Sequence, residues 1–180
     1  MAKKWVCFYS QTGSEINNIR KLLKKDPDII VYNGDDLSHT NMELLEDLGD
    51  KMVRLPAKPS LDDYLQLAEI LPKDCLITLN GYLRIIPKYM CEHFNILNLH
   101  PGLITKYPEL KGFNPQEKAF NLNLPTTGVV IHEVTPELDS GKIIASKEVP
   151  IAGNTLDVVY EKLHDAATQL WVDVLKDILK

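Results

Sequence analysis

The chain has 180 residues, 44% hydrophobic and 25% charged, with a formal net charge of −5. That length allows one domain a substantial core, and the composition is that of an ordinary globular protein. The acidic balance excludes a general electrostatic pull toward nucleic acid. No apolar run reaches the length of a membrane span, and the run after Met1-Ala2-Lys3-Lys4-Trp5 is too short for a signal segment. Cys7, Cys75 and Cys91 are scattered without metal-type spacing, and the first two sit inside apolar runs. That suits buried, reduced thiols and a cytoplasmic protein.

In chain order, Lys4 to Tyr9 reads as a short strand. Ser10-Gln11-Thr12-Gly13-Ser14 is a turn and helix start, followed by helical spacing at Ile16, Ile19, Leu22 and Leu23. Ile29 to Tyr32 is a second strand, closed by Asn33-Gly34. A helix near Thr40–Leu48 and a strand near Met52–Leu55 follow, and Ser60 is placed to cap a helix over Leu61–Ile70. Cys75 to Leu79 is another strand, ending at Asn80-Gly81, and a short helix runs from Pro87 to Glu92.

Near-continuous apolar strands alternating with helices predict a sheet covered on both faces. After residue 100 the pattern changes. Thr127 to Val134 and Lys142 to Val149 read as two strands flanking Asp139-Ser140-Gly141. Asn154 or Thr155 then caps a long amphipathic helix with Leu156, Val159, Leu163, Leu170, Val174 and Leu175 as its stripe. The expectation is one α/β domain over residues 1–180: a single doubly wound, mostly parallel sheet, helices on both faces, and a long C-terminal helix.

The chemistry-bearing segment is Asn98-Leu99-His100-Pro101-Gly102, which ends the apolar run Phe94-Asn95-Ile96-Leu97. Side chains two apart on a strand share a face, so Asn98 and His100 should project together, and Pro101 ends the strand. Taken alone, Asn98 reads as a strand-end cap, His100 as a core histidine and Asp139-Ser140-Gly141 as a hairpin turn. His132, between apolar strand residues, reads as structural.

Three strings weigh against those readings. They are Leu79-Asn80-Gly81-Tyr82-Leu83-Arg84-Ile85-Ile86, Ile96-Leu97-Asn98-Leu99-His100-Pro101-Gly102-Leu103, and Thr127 through Gly141. In this order they resemble the 10-formyltetrahydrofolate-dependent formyltransferases, nearest to those acting on glycinamide ribonucleotide. The resemblance is strong over residues 78–151 and covers the remainder in layout. It implies a Rossmann-like formyltransferase fold. It also implies transfer of a formyl group from folate N10 to a small-molecule primary amine in purine biosynthesis. Asn98, His100 and Asp139 would be catalytic: Asn98 and His100 stabilise the developing oxyanion, and Asp139 partners His100 and accepts the amine proton.

By the same resemblance, Arg84, Ile85, Ile86, Val134, Leu138 and Asp139 would hold the folate. Gly13, Ser14, Glu15 and Pro101 would meet the acceptor. Core packing is the competing reading for Leu83, Ile85 and Ile86, and a solvated charge for Arg84. The resemblance calls for 10-formyltetrahydrofolate as co-substrate and no metal. Partners would be the amine and the folate, with no nucleic acid or membrane, in a monomer or homodimer.

Departures from the family concern the acceptor. Ser10-Gln11-Thr12-Gly13-Ser14-Glu15 stands where the family binds a phosphate with a motif like Ser-Gly-Asn-Gly-Ser-Asn. Gly13 and Ser14 remain, but Glu15 brings a negative charge to the first helical turn. Ala167 falls near a substrate-contacting glutamate of the family, with Glu161 a turn or so away. Gly102 and Thr105 replace family residues in the stretch after His100-Pro101. Relatives are a little longer, and the tRNA formyltransferases add a C-terminal domain. The alternatives are therefore an amino sugar nucleotide or other amine as acceptor, hydrolysis of 10-formyltetrahydrofolate, or an inactive folate-binding module. The sequence leaves open whether 105–114 is a mobile lid or an ordered wall.

Overall fold

A computed structural model describes residues 2–180 of the chain. Two compact units divide it: residues up to Leu97 together with Leu175–Lys180, and Asn98–Val174.

The first unit is built on four parallel strands, β1 (Trp5–Tyr9), β2 (Ile29–Asn33), β3 (Met52–Leu55) and β4 (Leu76–Leu79). β1 pairs with β2 through Val6↔Ile29 to Tyr9↔Tyr32, and with β4 through Trp5↔Leu76 to Phe8↔Leu79. β2 pairs with β3 through Ile30↔Met52 to Asn33↔Leu55. Every residue of β1 is buried, as an apolar central strand requires. Trp5, Phe8, Ile16 and Ile77 are wholly enclosed, each contributing about 1.5–3 kcal/mol of burial.

Among its described residues are the helices α1 (Ser14–Leu23), α2 (Met42–Leu48), α3 (Leu61–Ile70) and α4 (Lys88–His93). α1 starts on Gly13 at φ +68°, a left-handed conformation that glycine alone adopts without penalty. An added Cβ there would also stand 2.7 Å from Leu44 Cδ2. Asn41 caps α2, and Ser60 caps α3 in a reciprocal box with Asp63.

The second unit starts inside β5 (Asn95–His100) and contains α5 (Pro115–Asn121), β6 (Thr126–Glu133) and β7 (Ile143–Pro150). α6 (Leu156–Ile178) runs from this unit past its end at Val174. β6 and β7 form an antiparallel hairpin with an irregularity between Ile131 and His132. Such a bulge re-aims the side chain beside it. Thr155 Oγ1 accepts from Val158 N at 3.4 Å, so Thr155 is the cap of α6. α6 buries Val159, Leu163, Ala166, Ala167, Leu170 and Trp171.

The strand order is β3-β2-β1-β4-β5-β6-β7 in one seven-stranded sheet. This is the mostly parallel, doubly wound arrangement that the alternating pattern predicts, with β7 antiparallel at the edge. Direction reverses between β3 and β4, so right-handed crossovers put α1 and α2 on one face and α3 on the other. The switch point lies where β1 adjoins β4. The pattern reading lacks α5, a seven-residue helix too short to show a clear apolar period, and the short 3-10 turns at 49–51 and 108–110. Pro115 occupies the first helical position of α5, where the missing N–H costs nothing.

Candidate functional site

At the switch point a chain of hydrogen bonds runs through buried polar groups. Trp5 Nε1 donates to Thr78 Oγ1 at 3.0 Å, and the Thr78 hydroxyl donates to Asn80 Oδ1 at 2.7 Å. Asn80 Nδ2 donates to Glu15 Oε1 at 2.9 Å. The Glu15 carboxylate is thus drawn to the carboxyl end of β4. Ser14 N donates to Thr12 Oγ1 at 3.2 Å, so a first-turn N–H of α1 has a partner within the turn.

Beside it the segment after β4 is tied to the ends of β1 and β2. Ser10 Oγ accepts from Leu83 N at 2.8 Å and donates to Asn33 Oδ1 at 2.9 Å. Asn33 Oδ1 also accepts from Arg84 Nε at 3.3 Å. Arg84 is therefore an exposed but anchored cation. Ile85 is 82% exposed, whereas Ile86 is 5% exposed. The core-packing reading therefore describes the Ile86 side chain, whereas the Ile85 side chain is open to solvent.

In the second unit three ionisable side chains converge in a buried site. His100 Nδ1 lies 3.6 Å from Asp139 Oδ1, with the two side chains 6% and 7% exposed. His132 Nε2 lies 3.7 Å from the same oxygen. Each ring is fixed from its other edge: His100 Nε2 bonds Leu110 O at 2.7 Å, and His132 Nδ1 bonds Glu133 O at 2.9 Å. A carbonyl only accepts, so those nitrogens carry the hydrogens. Both remaining nitrogens then face one carboxylate. Gly112 N donates to Asp139 Oδ2 at 3.2 Å.

Asp139 reaches this position at φ +52°. The left-handed region costs most residues roughly 1–2 kcal/mol, and aspartate visits it more readily than most. Asn98, half-buried, precedes His100 by two residues on β5. Among the described residues its side chain makes no hydrogen bond to the cluster. The sequence reading missed His132 as a neighbour of Asp139. The β6 irregularity that turns it is not visible in an alternating apolar pattern.

The stretch after Pro101 forms a wall. Leu110 is fully buried, and Lys106 and Tyr107 are tied to Glu148 and Thr126. Gly102 lies under this wall: an added Cβ would stand 2.8 Å from Pro115 Cβ and 3.2 Å from His100 Nε2. Glycine here lets the His100 ring sit against Leu110 O. Val134 is half-buried and Leu138 is 66% exposed. Ala167 is buried within α6 and Glu161 is exposed, so Ala167 is packing.

The carboxyl ends of β1 and β2 frame a cavity of about 620 Å³. Tyr9, Tyr32, Asp35, Asp36, Ser38 and His39 are among its walls. Gly13, Ser14 and Glu15 are not part of its lining. Among the described residues no helix is long and apolar enough to cross a membrane.

The model of the formyl transferase family matches residues 57–175. The phosphoribosylglycinamide formyltransferase of Dictyostelium discoideum is 33% identical over 127 residues, covering 62% of this chain and 60% of that protein. Its Bacillus subtilis (strain 168) counterpart is 30% identical over 107 residues, covering 58% and 53%. The alignments thus span between half and two thirds of these curated relatives. The crystal structure of phosphoribosylglycinamide formyltransferase from Streptococcus pneumoniae TIGR4 superposes with a TM-score of 0.83 at 26% identity, over 99% of both chains. With the family model spanning most of its length and the fold shared end to end, the chain belongs to the formyl transferase family.

Proposed function

We propose that the chain transfers a formyl group from 10-formyltetrahydrofolate to a primary amine of a small molecule, in the cytoplasm, with glycinamide ribonucleotide as the first acceptor to test. The observation that carries this reading is the buried His100–Asp139 edge, with Asn98 two residues upstream on the same strand face. Family membership and the names of the relatives support it.

The donor set fits a folate. Each unit carries exposed apolar surface of the kind a flat ring packs on, Ile85 in the first and Leu138 in the second. The folate supplies the formyl carbon. Asn98 donates its amide N–H to the formyl oxygen, which gains negative charge as the amine adds. One such fixed donor is worth about 10²–10³ in rate.

The Nε2–H of His100 is committed to Leu110 O, so its Nδ1 edge is the one that faces Asp139 Oδ1, 3.6 Å away. A proton held there puts positive charge near the same oxygen. Asp139 takes the proton that the attacking amine releases, directly or through one water, and that proton goes to the departing nitrogen. The low exposure of both groups keeps bulk water from competing.

A second acceptor class is favoured by one contact. Glu15 is drawn by Asn80 to the switch point, and a carboxylate there opposes a phosphate. An amine without a phosphate at the turn would avoid that repulsion, and an amino sugar nucleotide would do so only with its phosphates held elsewhere. The test is formyl transfer from 10-formyltetrahydrofolate, followed by folate absorbance, with glycinamide ribonucleotide and with amino sugars. Turnover that disappears in His100→Ala supports the reading. No turnover with any amine, or formate release alone, overturns it.

A further inference from the structure

We propose that the cavity at the carboxyl ends of β1 and β2 is a sugar site, taking a ring through vicinal hydroxyls with no phosphate held there. This goes beyond formyl transfer and does not depend on it.

The volume, about 620 Å³, is that of a small-molecule pocket. Its aromatic side is the half-buried ring of Tyr32, backed by the buried ring of Tyr9 at a centroid distance of 6.4 Å and an interplanar angle of 32°. Tyr9 is itself fixed by a 2.7 Å hydrogen bond with Thr40 Oγ1. The Tyr32 face suits the apolar side of a sugar or an attached base. The rim is fixed by Asn41 N donating to Thr12 O at 2.7 Å, which ties the segment before α2 to the β1–α1 turn.

The polar lining is acidic and hydroxylic. Asp35 and Asp36 line the cavity, and none of its lining residues is Lys or Arg. Ser38 donates to Asp36 Oδ1 from both N (2.9 Å) and Oγ (2.5 Å). Those bonds hold the Asp36 carboxyl below its ordinary range. Both fall on Oδ1, so Oδ2 of an ionised Asp36 is an acceptor for ligand hydroxyls. Asp35 is partly compensated by Arg54 at 3.8 Å. A phosphate would meet two carboxylates with His39 as the one imidazole and no Lys or Arg in the lining, whereas a diol brings the donors these oxygens need. The place in the fold agrees. In dinucleotide-binding parallel sheets an acid after the second strand, about 20 residues past the first strand–helix turn, accepts from a ribose hydroxyl.

The test is calorimetric titration of the full chain with adenosine, 2′-deoxyadenosine and adenosine 5′-monophosphate as probes. Adenosine should bind, and the other two should bind at least about tenfold more weakly, roughly the loss of one charge-assisted hydrogen bond. Asp36→Asn should weaken adenosine by about tenfold without changing the melting temperature, because the amide keeps an acceptor for Ser38. Gln11→Lys, at an exposed lining position, should shift preference toward the monophosphate. Equal binding of adenosine and its 2′-deoxy form, equal or tighter binding of the monophosphate, or no saturable adenosine binding overturns the proposal. The formyl-transfer assay is read separately, so the two readings fail independently.

Discussion

Asp139 and Asp36 both follow strands, yet they are held in opposite ways. Asp139 is buried, faces two imidazoles across 3.6 and 3.7 Å, and takes a main-chain hydrogen bond from Gly112. Asp36 is exposed and takes both of its hydrogen bonds from Ser38, two residues on. Burying a carboxylate is costly unless partners compensate for lost water. Asp139 therefore depends on β6, the loop around Gly112 and its own left-handed backbone, whereas Asp36 depends on one short turn. The first arrangement holds a carboxyl fixed and enclosed, and the second leaves one accessible on a turn.

The largest expected effect is at the buried pair. His100→Ala and Asp139→Asn should each lower kcat for formyl transfer by about 10²–10⁴. Circular dichroism should show the fold retained. A near-normal rate in either variant would remove the buried carboxylate from the chemistry and erase its contrast with Asp36.

Next comes the wall that holds His100. Gly102→Ala would press a methyl group against Pro115, Leu110 and the His100 ring. Overpacking of this kind costs about 1–3 kcal/mol. The melting temperature should fall and kcat should fall with it, because the ring must leave Leu110 O. An unchanged melting temperature would mean the wall is loose, as a lid would be.

These two regions differed in how well they could be read from the chain. Asn98, His100 and Asp139 sit in strings whose residues and spacing are local, and the apolar runs around them name their strands. The alternation of β1 through β4 with helices is likewise a short-range pattern, and it predicts the doubly wound sheet. His132 reads as structural in the sequence because its approach to Asp139 needs the β6 irregularity, which depends on pairing with β7. The β1–β2 cavity was missed for a similar reason. Tyr9, Tyr32 and Asp36 are far apart in sequence and meet only through strand register. Glu15 showed its charge in the sequence, but its bond to Asn80 requires β1 and β4 to be neighbours.

Thiol chemistry separates buried from half-exposed positions more gently. Burial pushes the Cys75 thiol up to about 11 and raises Cys7 further, whereas Cys91 is only partly buried. A disulfide exchange reagent at neutral pH should therefore modify Cys91 first and Cys7 last in the folded chain. The sign of the pH effect follows. Cys75 has a higher pKa folded than unfolded, so its contribution to stability is complete below about 8.5–9, the free thiol range. It is lost as pH rises toward 11. Denaturant midpoints should decline over that window, and Cys75→Ser should flatten part of the decline. Faster labelling of Cys7 than of Cys91 would contradict the packing around β1.

The smallest expected effect is on stability at the exposed carboxylate. Asp36→Asn should change the unfolding free energy by no more than about 0.5 kcal/mol, as exposed sites without buried partners usually do. The amide oxygen still accepts from Ser38, and no strand or helix packs on it. A loss of 2 kcal/mol or more, read from denaturant unfolding, would show that Asp36 supports the fold as Asp139 does. The contrast between a charge built into the fold and one displayed on a turn would then fail.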